Sequence, residues 1–413
     1  VNFVLFHTYK NTDYSLHLQI VAEERKKGFA GLLEQEESRL RSKAEKKLPT
    51  LGGILELPGS LPLEQCSSEA AAEYKCQVAG NLLGEGLGKA AVADLTGGLG
   101  IDCIAFSKIF GRILYNEKNP VLFDAAKRNF AAAGAANTVF CNFEAGKDGN
   151  SSEDTQLGKA LEGFRPDLIY FDPSRRSEGG SRVFLPEDCS PNPVTLVPQL
   201  RSICPRILVK LSPMADITML SRLFGPVLTG IHIFEKDGEC KELLLVFSGE
   251  EKDEPLITVA TAGKGAILSF YPSREKSSEA EFAGCISVDD HIFEPGAALM
   301  KSGAFKLPCS LYSMQQLSAS THLYKCMAPE IASGAPGKLF RVIDLLPFSR
   351  AGFREAGKRY PRAEISARGV PVSSEELRGR SGCNGGGSER IFAVTLSDST
   401  RKLLVCVSWP DNK

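Results

Sequence analysis

The feature that most narrows the fold lies between residues 91 and 248, where apolar runs alternate with helix-forming stretches. Strands are expected at Ala91–Thr96, Arg112–Glu117, Asn137–Asn142, Asp167–Asp172, Arg206–Ser212, Gly230–Phe234 and Glu242–Ser248. Helices are expected between them at Asp102–Phe110, Pro120–Ala133, Glu153–Gly163, Pro193–Ile203 and Ala215–Phe224. Fully apolar strands alternating with helices describe a parallel sheet covered on both faces. The last link breaks the pattern. Only Glu235–Lys241, containing Asp237-Gly238, joins the sixth and seventh strands. That is too short for a helical crossover, so the two form an antiparallel hairpin. The expected class is α/β, a Rossmann-like seven-stranded sheet with its last strand reversed.

The flanks suggest further units. Residues 1–90 read as an N-terminal helical domain. One helix is expected over Glu23–Lys47, stopped by Pro49 and Gly52-Gly53, and another over Ser67–Leu83, capped by Ser67 or Ser68 and ending near Gly84. Residues 91–250 hold the sheet. Residues 251–335 read as a connecting α+β segment, compatible with a ferredoxin-like arrangement, whose charged first part (251–290) is either a connection or a small strand pair. Gly334–Gly337 reads as a linker. Residues 336–413 form a small α+β unit with a strand at Lys338–Leu345, a helix at Arg350–Tyr360, and strands near 363–368, 390–396 and 402–408.

Composition excludes several classes. With 43% hydrophobic and 24% charged residues, the chain is globular and not disordered. Its 49 Lys/Arg against 50 Asp/Glu exclude a polycation, but not a local basic face. Residues 337–413 carry 14 Lys/Arg against 8 Asp/Glu. The twelve cysteines are scattered with no CxxC pair, and there are five His, so no zinc site or other metal is expected. Cys103 and Cys406 lie in apolar runs and read as buried thiols of a reducing compartment. No run of about 18 apolar residues exists to span a membrane. Val1–Tyr14 lacks a basic segment followed by an apolar one, so no secretory signal is expected and the cytoplasm is the expected location.

The most informative segment is Ala91-Val-Ala-Asp-Leu-Thr-Gly-Gly-Leu-Gly-Ile-Asp102, a strand running through a Gly-rich turn into a helix. Such a turn brings backbone close to a ligand at a helix N-terminus. A dinucleotide fingerprint would need a third Gly where Cys103 stands. Asp94 would repel a pyrophosphate but suits a cationic ligand. Glu117, ending the second strand, is placed to accept ribose hydroxyls from either cofactor class. A plain strand-to-helix turn is the bland alternative.

The second signal is Leu168-Ile-Tyr-Phe-Asp-Pro-Ser-Arg-Arg176. It puts Asp172 and Pro173 at the carboxyl edge of the sheet, where ligands of open α/β sheets bind. Arg175 and Arg176 suit bidentate contact with phosphate or carboxylate, or else pair with Asp172 or Glu178. Lys210, at the end of the fifth strand, is placed to orient Asp172, to meet an anionic substrate, or to snorkel to the surface. Ser68 and Glu69 either cap the second helix or cover the cofactor and substrate. Arg350, Arg354 and Lys358 recur every four residues, giving one helix a basic face that either tracks phosphates or is merely solvated. Arg39, Arg41, Lys43, Lys46 and Lys47 make a second basic patch.

Asp94-x-Thr96-x-Gly98-x-Gly100 resembles motif I of the class I methyltransferases, with Thr in place of the usual first Gly. Asp172-Pro-Ser-Arg resembles their motif IV, with Ser and Arg replacing the second Pro and the aromatic residue. Together with Glu64-Gln-Cys-Ser-Ser-Glu69, Val209-Lys210, Glu294-Pro-Gly-Ala-Ala-Leu-Met-Lys-Ser-Gly-Ala-Phe305 and Arg368-Gly-Val-Pro-Val372, these segments resemble a bacterial family of class I S-adenosylmethionine-dependent methyltransferases with a C-terminal THUMP-like domain. The resemblance implies S-adenosyl-L-methionine held by Asp94, Thr96, Gly98, Gly100, Asp102 and Glu117, with Asn142 at the adenine. It also implies an RNA substrate, tRNA or rRNA, because THUMP domains of related enzymes help recognise RNA. The lack of Cys near Lys210 argues against methylation at a pyrimidine C5. The competing readings are a methyltransferase of a small molecule or protein, a catalytically silent RNA-binding module, and an NAD-dependent dehydrogenase.

Overall fold

The computed structural model describes residues 34–146, 155–174 and 185–410. Its first sheet contains β1 (Ala91–Asp94), β2 (Arg112–Asn116), β3 (Thr138–Cys141), β4 (Leu168–Phe171), β5 (Ile207–Leu211), β6 (Gly230–Lys236), β7 (Glu239–Phe247), β8 (Leu256–Thr261) and β9 (Gly265–Phe270). The strand order is β3-β2-β1-β4-β5-β7-β6-β8-β9. β1 to β5 pair in parallel, and β7 runs antiparallel to both β5 and β6. The hairpin between β6 and β7 turns on Asp237 and Gly238, whose φ angles are 56° and 76°. Two positive φ values suit the twist of a tight hairpin. The expected seven strands thus become nine. The charged stretch after residue 250 holds a strand pair that extends the sheet, with β8 parallel to β6.

Helices cover both faces. On one lie α1 (34–47), α2 (Ser60–Gln65), α3 (Glu69–Leu83), α4 (Ile101–Ser107) and α5 (Pro120–Ala132). Their buried side chains, among them Ala44, Ala72, Ile104 and Phe130, pack with Val92, Ile113 and Leu208 of the sheet. The opposite core joins Leu161, Leu196 and Leu220 to Ile169, Val209 and Ile231. The helix ends follow local chemistry. Asn119 accepts bonds from the N–H groups of Val121 and Leu122 with Pro120 in the first turn, and Asn192 caps the helix at Pro193 similarly. Of the helix expected over Glu23–Lys47, residues up to 33 lie outside the described residues.

A second sheet contains β10 (His291–Pro295), β11 (Met314–Gln316), β12 (Tyr324–Cys326), β13 (Gly337–Pro347), β14 (Glu364–Arg368), β15 (Glu389–Thr395) and β16 (Arg401–Trp409), in the order β11-β12-β10-β13-β16-β15-β14. Two family-like segments meet here. Glu294 of β10 accepts from Arg368 of β14 at 2.6 Å and from Arg390 of β15 at 2.9 Å. β10 and β14 are four places apart in the sheet, roughly 19 Å if it were flat. Direct ion pairing across that span requires strong curling. The sheet is anchored to β6 by Glu235, which is buried and accepts from the Ala298 N–H at 2.8 Å.

The stretch Gly334–Gly337, expected as a linker, is packed instead. Pro295 pairs with Gly337, and a Cβ at Gly337 would lie 2.4 Å from the Glu294 carbonyl and 2.5 Å from the Phe293 ring. Only glycine lets β10 and β13 approach there. Gly337→Ala is therefore expected to destabilise the protein by about 1–3 kcal/mol, the usual cost of overpacking, as measured by chemical denaturation.

Candidate active site

The strand order reverses between β1 and β4, and the loops after these strands diverge to leave a crevice. The first wall is the turn after β1. Gly97 donates to the Asn116 carbonyl at 2.7 Å and lies so close to Tyr115 that a Cβ would sit 2.1 Å from its ring. Gly98 has φ 55° and donates to Glu117 Oε2 at 2.9 Å, while its carbonyl accepts from the Tyr115 hydroxyl at 2.5 Å. Glu117 Oε1 accepts from the Asn119 N–H at 2.8 Å. The carboxylate is thus fixed by two backbone donors and keeps lone pairs for a diol. Asn116, unremarked in the sequence, ties the Leu95 and Phe143 carbonyls together at 2.9 and 3.1 Å.

A second group of residues forms a buried charge cluster that sequence reasoning missed. Lys75 of α3 is wholly buried. It donates to Ser67 Oγ at 2.7 Å and Asp102 Oδ1 at 3.1 Å, and lies 3.0 and 3.1 Å from the two oxygens of Glu242. Asp102 Oδ2 also accepts from Ser67 Oγ at 2.8 Å and from the Tyr170 hydroxyl at 2.9 Å. Burial works against the Lys75 charge, but the Asp102 and Glu242 carboxylates outweigh it and hold the ammonium above its ordinary range. Burial also opposes the Asp102 charge, yet Lys75, Lys210 and the two hydroxyl donors hold that carboxyl below its usual value. Glu242 goes the other way. Burial raises it, and among the described residues Lys75 alone supplies its hydrogen bond.

The third wall is the tip of β4. Asp172 forms an ion pair with Lys210 of β5. Its backbone N–H donates to Thr96 Oγ1 at 2.6 Å. The threonine that stands where motif I usually has glycine therefore ties the first turn to the β4 tip. Pro173 follows, and Ser174 forms an isolated bridge with Ser190.

These walls enclose a cavity of about 960 Å³, at the upper end of the roughly 300–1,000 Å³ common for small-molecule sites. Of the expected site residues, Thr96, Gly98, Asp102, Glu117, Asp172, Pro173, Lys210 and Ser68 line it. Four do not. Asp94 is buried beneath the turn, where it accepts from the Thr96 N–H at 2.9 Å and the Cys103 thiol at 3.3 Å. Gly100, at φ 87°, is the N-cap of α4 and faces Phe130. Asn142 is exposed and donates to the Glu117 carbonyl at 2.5 Å, leaving Phe143 and Ala145 to line the cavity after β3. Glu69 accepts from the backbone of Thr50 and Leu51, pinning that turn, while Ser68 caps α3. Arg175 and Arg176 lie outside the described residues.

The residues present fit S-adenosylmethionine. Glu117 offers a prearranged acceptor for a ribose diol, and Leu122 and Phe143 give the same cavity apolar surface for a purine. Beyond Gly98, a Cβ would meet nothing within 4 Å, so ligand can approach the backbone there. Asp102, Glu242 and Asp172 face two lysines, Lys75 and Lys210. Within this group of five described side chains the carboxylates outnumber the ammonium groups, which suits a cationic ligand.

Away from the cavity, the helix Arg350–Arg359 exposes Arg350, Arg354 and Lys358, none with a carboxylate partner among the described residues. Arg359 is engaged with Asp344 at 2.8 Å. Among the described residues, no helix is long and apolar enough to cross a membrane, and no group of three His, Cys, Asp or Glu side chains is arranged to hold a metal.

Two outcomes follow from the buried charges. Lys75→Met leaves two carboxylates without their cation and is expected to cost about 3–5 kcal/mol. In that variant the folded state holds protons more tightly than the unfolded chain, so stability should rise as pH falls from 7 towards 4, as measured by urea denaturation across pH. Burial pushes Asp94 up to about 8, against the partial opposition of the Thr96 and Cys103 donors. The folded state thus keeps a proton that the unfolded chain releases near 3.8. Asp94 therefore lowers stability as pH rises through this window, and Asp94→Asn should flatten that slope.

Comparison with known proteins places this architecture. A ferredoxin-like domain model matches residues 291–331 and a THUMP domain-like model matches residues 337–408. The crystal structure of a candidate methyltransferase from Porphyromonas gingivalis W83 is 31% identical, covers 91% of this chain and 89% of its own, and superposes with a TM-score of 0.76. Two distant structures are similar over less than half of the chain. They are precorrin-6y C5,15-methyltransferase from Geobacter metallireducens GS-15 (14% identity, 44% of this chain and 87% of that chain, TM-score 0.28) and an rRNA methylase from Streptococcus thermophilus (11%, 42% and 94%, 0.29). A comparison with curated proteins found no match. With near-complete mutual coverage at 31% identity and the reversed-strand sheet already described, the chain belongs to the family of class I S-adenosylmethionine-dependent methyltransferases that carry a C-terminal THUMP-like domain.

Proposed function

We propose that this methyltransferase acts on structured RNA, tRNA or rRNA. In this reading residues 91–250 perform the chemistry and residues 336–413 help recognise the RNA. The observation that carries it is the basic face of Arg350, Arg354 and Lys358 on the THUMP-like part, unpaired among the described residues. Exposed cations at helical spacing without carboxylate partners suit a phosphate backbone. All twelve cysteines are free, in keeping with work in the reducing cytoplasm.

S-adenosylmethionine supplies an electrophilic methyl group on a sulfonium. The chain's own residues do the rest. Thr96, Gly98 and Glu117 hold the nucleoside end, and the net-negative cluster around Asp102 suits the cationic end. Asp172 is oriented by Lys210 and by the bond from its N–H to Thr96. With Lys210 neutralising much of its charge, Asp172 acts by accepting a hydrogen bond from the target group and fixing its direction of approach. Pro173 has no N–H, so the segment presents acceptors to the target.

The test is transfer of labelled methyl to total RNA from a strain lacking the gene, followed by nucleoside mass analysis. Methyl should enter RNA, and Asp172→Ala should lower the rate by about 10²-fold or more without loss of cofactor binding. Label appearing only in protein or small molecules would overturn the RNA assignment. Cofactor binding without any transfer would support the silent module. RNA affinity should also fall steeply with salt, and charge reversal at Arg350 and Arg354 should flatten that dependence.

A further inference from the structure

Charges of both signs line the cavity: the carboxylates of Glu117 and Glu242 are buried and that of Asp102 nearly so, whereas Lys43 and Lys46 of α1 are exposed, as are Glu64 and Asp237. Neither lysine has a carboxylate partner among the described residues. They sit three residues apart, on neighbouring positions of one helix face. Lys236, at the end of β6, lines the same cavity and is likewise without a carboxylate partner among the described residues.

α1 is held rigidly for a helix outside the catalytic sheet. Arg41 donates to the Gly52 and Leu55 carbonyls at 2.7 and 2.8 Å, and Lys47 donates to the Leu63 and Glu64 carbonyls at 2.8 Å each. Ala44 and Leu48 are fully buried, and Gly52 packs against the α1 backbone so closely that a Cβ would meet it at 2.5 Å. Two of the basic residues of this segment thus fix the helix, and three, Arg39, Lys43 and Lys46, are left exposed, of which Lys43 and Lys46 line the cavity. Burying Ala44 and Leu48 fixes which way Lys43 and Lys46 face.

We propose that α1, through Lys43 and Lys46, and the β6–β7 hairpin, through Lys236, form two cationic lips of the substrate entrance. They bind backbone phosphates on either side of the target nucleotide while its base is turned in toward Asp172. This rests on the RNA reading above and adds a second contact surface, distinct from the Arg350–Arg359 helix. Lysines at the entrance without carboxylate partners among the described residues, above carboxylates that outnumber their lysine partners, suit an anionic strand outside and a cationic cofactor within. A base inside a duplex is out of reach of the β4 tip, so extrusion of the target nucleotide is required. Phosphates flanking an extruded nucleotide need cations close to the opening.

The experiment is filter binding of labelled total RNA from the deletion strain to the full chain, over about 50–200 mM salt. It compares wild type, Lys43→Glu/Lys46→Glu, Lys236→Glu and Arg350→Glu/Arg354→Glu. The first double variant is expected to lose about tenfold in affinity at mid-range salt, with the log–log salt slope reduced by about 1.4 for two lost single-strand contacts. Lys236→Glu should shift both in the same direction by less. S-adenosylmethionine affinity, measured by calorimetry, should stay at the wild-type value. If the glutamate pair fails to fold, Lys43→Gln/Lys46→Gln decides by the same slope. An unchanged slope in the α1 variants, with binding still weakened by Arg350→Glu/Arg354→Glu, overturns the lips and leaves the RNA reading standing. Absence of RNA binding by wild type overturns both.

Discussion

The site depends on one buried ammonium. Lys75 on α3 joins Asp102 at the start of α4 to Glu242 on the reversed strand β7. It thereby ties the N-terminal helices, the cofactor turn and the far side of the sheet switch into one body. Removing a partner from such a cluster strands a charge in a medium that solvates it poorly, which makes the arrangement all-or-none. Asp102 has two hydroxyl donors besides Lys75, while among the described residues Glu242 has Lys75 alone. The two carboxyls consequently shift in opposite directions although they share a cation.

From that cluster the electrostatics run outward. Asp102 and Glu242 are also under the influence of Lys210, which is the partner of Asp172. The target-binding tip and the cofactor floor are thus electrostatically linked. Thr96 links them mechanically, since its hydroxyl accepts from the Asp172 backbone. A shift of the first turn would move the β4 tip with it. Enzymes that rely on positioning need this kind of stiffness, because small misplacements of the reacting groups are costly.

Much of this was legible in the sequence where backbone pattern and local chemistry decide. The apolar strands, the short Glu235–Lys241 link and the glycines after β1 led to the parallel sheet with its reversed last strand and to the cofactor turn. Other features were set by tertiary contact. Asp94 was read as facing a cation, but the turn folds over it and consumes its oxygens. Asn142 was placed at the adenine by resemblance, yet the strand end turns it to solvent and puts Phe143 and Ala145 in the wall. Lys75, in an Ala-rich helix, gives no local sign of burial, and it is tolerated because Asp102 and Glu242, the latter 167 residues away, converge on it. Gly337 looks like part of a linker in the sequence, but it is glycine because β10 and β13 approach too closely there for a side chain. Glu294 and Arg368 gave no sequence hint of contact, and the curl of the second sheet brings them together.

The central claim is that the crevice between β1 and β4 is built for a cationic nucleoside cofactor and not for a dinucleotide. Calorimetric titration of the full chain with S-adenosylmethionine and, separately, with NAD tests it directly. Saturable binding of S-adenosylmethionine at one site per chain, lost in Glu117→Ala, with no heat from NAD, is the expected result. Binding of NAD alone would contradict the account.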